Sequence, residues 1–226
     1  MKINIATFGI FKEELKNRFL CIVETNGRDE LCYIPSSCKL SNFIEMQGRT
    51  VLLRPIQSPH SRTRYEVYAV LAGKRFIVLR LSEANRAIYD SLNTRRFSFL
   101  GKREKVIKEY KVEGYKCDLF IEDTNTIVEI KSILSLNKVA HFPTVYSQRA
   151  IDQLKNIELL LDKGYRICYF YISMSSNTTK IIINAEIEKY YQQLKQCINK
   201  GLIVKGYSLK YADNELYINK AISIEL

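Results

Sequence analysis

Histidine and paired cysteine are what this chain has least of. Two histidines in 226 residues leave few soft ligands, and the six cysteines (Cys21, Cys32, Cys38, Cys117, Cys168, Cys197) show no Cys-x-x-Cys spacing. A Cys/His zinc cage and a disulfide framework are therefore not expected. Four of the six thiols sit in apolar strand-like runs, where cysteine serves as a small hydrophobe. No run approaches the roughly 20 apolar residues that span a bilayer. The N-terminal apolar run meets Glu13-Glu14 too early for a secretory signal, so a cytoplasmic protein is expected. No internal repeat or low-complexity region appears.

What is present is the composition of an ordinary folded chain, 46% hydrophobic and 26% charged, long enough to bury a sizeable core. Two domains are expected, residues 1–81 and 82–226. A net charge of +11 and a pI near 9.3 favour a polyanionic partner. Nucleic acid, DNA first, is preferred to a membrane, because no lysine-rich amphipathic helix with a bulky apolar face stands out. The excess is also local: from Thr94 to Lys111 seven Lys/Arg face two Glu. Such a segment is read either as a phosphate-gripping connector or as a solvated linker.

In the first half, Arg18 to Glu24 alternate into a strand, Asn26-Gly27 carries a strong hairpin signal, and Leu31 to Ile34 return. Strands over Thr50 to Arg54, Tyr65 to Leu71 and Arg75 to Arg80 follow. Five short strands in so little chain predict an OB-like β-barrel, a fold that often holds single-stranded nucleic acid.

The second half opens with a helix from Glu83 to about Leu92, capped by Ser82. Lys116 to Ser132 then reads as two apolar strands around a polar turn. With the turn centred on Asp123-Thr124, Asp118 lies across from Glu129, and Glu129 and Lys131 share its face. Opposed like charges destabilise a strand pair by a few tenths to about 1 kcal/mol, which a shared divalent cation would reverse. On pattern alone two readings stand: a metal-assisted phosphodiesterase layout, and a solubilising strand end in which Glu129 and Lys131 are a same-face ion pair.

Residues 134 to 146 read as a loop. Ser147 caps a helix to about Asp162 with Ile151, Leu154, Ile157 and Leu161 inward and with Arg149 and Gln153 on another face. A strand over Arg166 to Ser173, a helix over Glu186 to Asn199 and a hairpin about Asp213-Asn214 complete the chain. Helix, three-strand meander, helix, strand is the order of a restriction-endonuclease-like PD-(D/E)XK domain with a mixed sheet, so the fold class is α+β.

Several runs together resemble the sugar fermentation stimulation protein family over nearly the whole chain. They are Arg18-Phe19-Leu20, Tyr33-Ile34-Pro35, Ala84-Asn85-Arg86, Asp118-Leu119, Val128-Glu129-Ile130-Lys131-Ser132, Phe142-Pro143, and Arg149 followed by Leu154. The resemblance implies a DNA-binding protein with an OB-like barrel and a nuclease-like domain. It makes Asp118 and Glu129 ligands of Mg2+ or Mn2+, and makes Lys131 the partner that positions water or opposes transition-state charge. Ser132, Gln153 and Asp90, the last in a first-helix acid position, would support them. Arg18, Arg54, Arg86, Arg95, Arg96, Lys102, Arg103 and Arg149 are the expected nucleic-acid contacts. Three stretches differ from the family pattern. Pro35-Ser36-Ser37-Cys38 lacks an asparagine, Phe142-Pro143-Thr144-Val145 lacks a loop carboxylate, and Gln153 stands where the family has histidine. A non-catalytic DNA-binding regulator built on a nuclease-like scaffold is the alternative.

Overall fold

The computed structural model describes residues 2–17, 19–35, 40 and 44–226. Arg18 and the Ser36-Ser37-Cys38 run lie outside the described residues.

Six strands form the first sheet: β1 (Thr7–Glu14), β2 (Leu20–Thr25), β3 (Arg28–Tyr33), β4 (Thr50–Pro55), β5 (Tyr65–Ala72) and β6 (Arg75–Val78). Asn26 and Gly27, at φ +52° and +71°, make the tight turn that β2 and β3 need, because both central positions demand a left-handed backbone. The order is β3-β2-β1-β4-β5-β6, and β3 also pairs with β5 at Cys32 and Tyr33, which closes an OB-like barrel of β1 to β5. The five closing strands are not the five expected. Strand β1 replaces β6, which hangs outside the closure, and its alternation of exposed Phe8 and Ile10 with buried Gly9 and Phe11 was hidden in the mixed N-terminal run.

Gly9 sits where β1 presses against β2. A Cβ there would strike Val23 Cγ1 and come within 2.9 Å of the Glu24 carbonyl oxygen. Gly9→Ala is expected to cost about 1–3 kcal/mol by overpacking, read as a lower urea midpoint; an unchanged midpoint would refute the close approach.

Helix α1 (Ser82–Ser91) follows. Ser82 lies inside it, and Leu81 is the cap residue, without a side-chain capping bond. The basic connector is anchored by two apolar residues while its cations stay in solvent: a 3-10 segment over Arg95–Leu100 buries Phe97 and Leu100, with the Phe97 ring 5.8 Å from Phe170 and 5.2 Å from Tyr207, and Arg95, Arg96, Lys102, Lys105, Lys108 and Lys111 are exposed. Short strands β7 (Val106–Lys108), β8 (Lys111–Val112), β9 (Tyr115–Lys116) and β10 (Leu119–Ile121) lead to β11 (Thr126–Ile133). The expected loop after it contains a strand, β12 (Val139–Phe142). Then come α2 (Gln148–Asp162), β13 (Arg166–Ser173), β14 (Lys180–Ile183), α3 (Glu188–Asn199), β15 (Ile203–Ala212) and β16 (Glu215–Glu225).

The mixed second sheet runs β12-β14-β16-β15-β13-β11-β10-β7, with β11, β13 and β15 parallel at its centre. Its two faces are buried differently. Tyr169 and Tyr171 pack with α2 and α3, while Val128, Ile130, Phe170 and Leu209 pack against α1 and barrel residues such as Leu52 and Val67 in one continuous apolar cluster. Helix α2 turns Ile151, Leu154, Ile157 and Leu160 inward; Leu161, expected there, is half-buried, since a 3.6-residue period rotates that position off the stripe. Ser147 accepts a hydrogen bond from the Ala150 N–H, as a helix cap does. Among the described residues no helix is long and apolar enough to cross a membrane.

Candidate functional site

The site is made by a strand that begins late. β10 pairs with β11 as Leu119 to Val128, Phe120 to Ile127 and Ile121 to Thr126. One step further the same register sets Asp118 against Glu129. There β10 has not yet begun, so the β11 edge beyond Val128 has no strand beside it. The Ile130 N–H, left without a ladder partner, donates instead to Asp118 Oδ2 at 2.8 Å. Asn85 of α1 donates to Asp118 Oδ1 at 2.8 Å, and Ser132 Oγ donates to the Leu81 carbonyl at 3.0 Å, tying β11 to the start of α1.

Glu129 is 3% exposed and heavily engaged. Its Oε2 accepts from Tyr115 OH at 2.7 Å, and its Oε1 accepts from Lys131 Nζ at 2.9 Å and from Gln153 Nε2. Gln153 also donates to Tyr115 OH at 2.9 Å and accepts from Lys131. Lys131 Nζ lies 5.5 Å from the centre of the Tyr169 ring. Glu129, Lys131, Tyr115 and Gln153 thus form one hydrogen-bonded network, and Asp118 is held beside it by Asn85 and the Ile130 N–H, so the buried polar groups are paired as they must be.

Burial first, and the Glu129 charge second, push Asp118 from 3.8 up to about 6, against the pull of the Ile130 N–H, Lys131 and Asn85. Burial and Glu129 also raise Tyr115, which keeps its hydroxyl a donor. The acids face a cleft of about 490 Å³, also lined by Asn85, Lys131, Lys116 and Arg149.

Among the described residues no three His, Cys, Asp or Glu side chains are grouped to hold an ion. The donors present are two hard carboxylates in an open cleft, whose mutual repulsion a cation would relieve. That set fits a Mg2+-type ion, which keeps several waters, and does not fit zinc.

The expected residues are distributed unevenly. Asp118, Glu129, Lys131, Ser132, Gln153 and Arg149 line the cleft together. Asp90 does not; it is exposed, 3.9 Å from Arg86 one turn back, and Asn85 is the α1 residue that reaches the site. Arg54 is bound to Glu66 and, at 3.1 Å, to Glu83. Arg96 donates to the carbonyls of Ile218 and Asn219 at 2.8 and 3.0 Å, and Arg103 to those of Leu92 and Gly101. Lys102 is exposed beside Glu104 and Asp123, at 3.1 and 3.8 Å. Arg86, Arg95 and Arg149 are exposed. Sequence reasoning assigned no role to Tyr115 or Asn85. Asn85 lay in a run already singled out, whereas β8 and β9, two residues each, carry no period that could mark Tyr115.

Comparison with known proteins gives consistent matches along the chain. The description "Sugar fermentation stimulation protein RE domain" matches residues 82–215, and "SfsA N-terminal OB domain" matches residues 15–79. A "Sugar fermentation stimulation protein homolog" of Clostridium acetobutylicum is 22% identical over 215 residues, covering 93% of each chain. That of Methanobrevibacter smithii is 25% identical over 213 residues, covering 88% of each. The solved structure titled "The structure of Pyrococcus Furiosus SfsA in complex with Ca2+" superposes with a TM-score of 0.82 at 20% identity over the whole of both chains.

Proposed function

This chain belongs to the sugar fermentation stimulation protein family, and from that membership we propose that it binds nucleic acid, DNA first, and hydrolyses phosphodiester bonds with the help of Mg2+ or Mn2+. The observation that supports this reading is the register-enforced opposition of Asp118 and Glu129 in an open cleft, with Lys131 bonded to Glu129. The Pyrococcus furiosus protein is titled as a complex with Ca2+, another hard cation that prefers oxygen ligands.

Asp118 and Glu129 would hold the ion. When bound it supplies Lewis acidity toward a phosphoryl oxygen. Lys131 places a positive charge where the phosphorane-like charge develops and can hold the attacking water. Tyr115 and Gln153 keep Glu129 in one orientation, and exposed Arg149 meets a neighbouring phosphate. The +11 net charge draws a polyanion to this surface.

The test is incubation of purified protein with single- and double-stranded DNA and RNA plus Mg2+ or Mn2+, beside Asp118→Ala and Lys131→Ala. Cleavage is expected from wild type and a loss of about 10²–10³-fold from either variant. Equal cleavage by all three would identify a contaminant and end the enzymatic reading.

One observation favours a second reading. Both oxygens of Glu129 already accept hydrogen bonds from Tyr115, Lys131 and Gln153, a set complete without an ion. A DNA-binding regulator using the nuclease-like domain as scaffold would leave substrate intact and would bind as well after Glu129→Ala.

A further inference from the structure

A smaller cavity of about 170 Å³ adjoins the acid cleft, lined by Leu81, Ser132, Leu134, His141, Phe142 and Thr144. Leu81 and Ser132 line both, so the two spaces adjoin at the Ser132–Leu81 hydrogen bond. The niche differs in chemistry: no Lys, Arg, Asp or Glu lines it. Its aromatic wall is braced from behind, the Phe142 ring lying edge-on to Tyr171 at 5.3 Å and to Tyr190 at 5.8 Å. Beyond Thr144 the chain continues as Val145 and Tyr146, each 56% exposed, before Ser147 and Arg149 rejoin the wall of the acid cleft.

We propose that this niche receives one unpaired nucleobase of the strand whose phosphate lies at Asp118 and Glu129, which makes the site selective for single-stranded or frayed nucleic acid. The inference rests on the nucleic-acid reading of the cleft and specifies its substrate. Size supports it: whole small-molecule sites occupy about 300–1,000 Å³, whereas an apolar cavity of about 150 Å³ takes a benzene ring. One planar ring system fits here and a complete nucleotide does not. Placement supports it too: Ser132 and Leu81 line both spaces, so a base beside Ser132, on the opposite face of β11 from Lys131, reaches the charged network around the open edge of that strand. An intact duplex keeps its bases stacked and offers nothing to the niche.

The chain provides its own reporter, because its two histidines are His141 in the niche and His60 on the loop between β4 and β5. Ring proton resonances of both can be followed by NMR during titration with thymidine monophosphate and, separately, with 2-deoxyribose 5-phosphate. Neither probe has a phosphodiester bond to cleave. The His141 signal is expected to move with the base-bearing probe and to stay with the base-free one, His60 being unmoved by either. Thr144→Trp, which fills the mouth of the niche from an exposed position, is expected to abolish that shift. It should also weaken single-strand binding about tenfold and leave duplex binding unchanged. Equal His141 shifts from the two probes, or none from either while salt-sensitive DNA binding persists, would overturn the proposal and leave the cleft reading intact. A base-dependent shift in a protein that cleaves nothing would support the niche and count against the nuclease.

Discussion

Without divalent cations, Asp118→Asn is expected to melt above wild type at neutral pH, and with Mg2+ or Mn2+ present to lose cleavage by the same factor of about 10²–10³ expected of Asp118→Ala. The wild-type carboxyl is pushed from 3.8 to about 6 by burial and by Glu129. A folded-state pKa above the unfolded one means that the folded protein binds the proton more tightly. This contribution to stability is fully present below about pH 4 and is lost as pH rises through about 6. Each unit is worth about 1.4 kcal/mol, which sets a ceiling of about 3 kcal/mol on the gain from removing the charge. Partial exposure lowers it, and so does the amide, whose NH2 replaces one of the two carboxylate oxygens that separately accept from the Ile130 N–H and Asn85. A net gain of about 1–2 kcal/mol is expected. Thermal melts should show the variant ahead at pH 7.5 and the difference shrinking at pH 4. Mn2+ should raise the wild-type melting temperature and leave the variant where it is. A variant that melts at or below wild type at pH 7.5 would show that the acid pair is not under electrostatic strain.

Arg54→Ala is expected to be the most damaging single change on the barrel side, at about 3–5 kcal/mol. Arg54 binds Glu66 through Nε and Glu83 through Nη1, its guanidinium lies 5.1 Å from the centre of the Tyr68 ring, and Arg80 meets Glu66 from the other side at 3.1 Å. Glu66 and Glu83 are 3% and 4% exposed. Truncating the shared cation leaves buried carboxylates short of a partner, which costs far more than the pair itself contributes. Glu83 stands in the first turn of α1, so the loss reaches the helix that delivers Asn85 to the acid site. Urea unfolding measures the loss. Salt titration of DNA binding separates structure from contact: Arg149→Ala should lower the salt slope by about one, and Arg54→Ala, under conditions where it remains folded, should not. A stability change under 1 kcal/mol with a lowered slope would return Arg54 to the nucleic-acid surface.

These two residues also mark how far sequence reading reaches. The Asp118 and Glu129 opposition was readable because register in a hairpin follows from the turn and the alternation, both local. Gln153 was readable as a face one turn from Arg149. Arg54 read as a free cation because its partners lie 12 and 29 positions away, and nothing local announces a pairing decided by burial. The same holds for Arg96, whose carbonyl partners are on β16. Strand β12, four residues within an apparent loop, and strand β1, within a mixed leader, were missed because each is specified by the neighbour it pairs with.

Barrel side chains, α1 and the long sheet share a single apolar cluster, so swivelling one half of the chain against the other would expose buried core. A polymer touching both would meet a caliper, not a hinge. The interval between the point where it is gripped and the point where it reaches the acids would be set by the protein and not by the length or slack of the polymer.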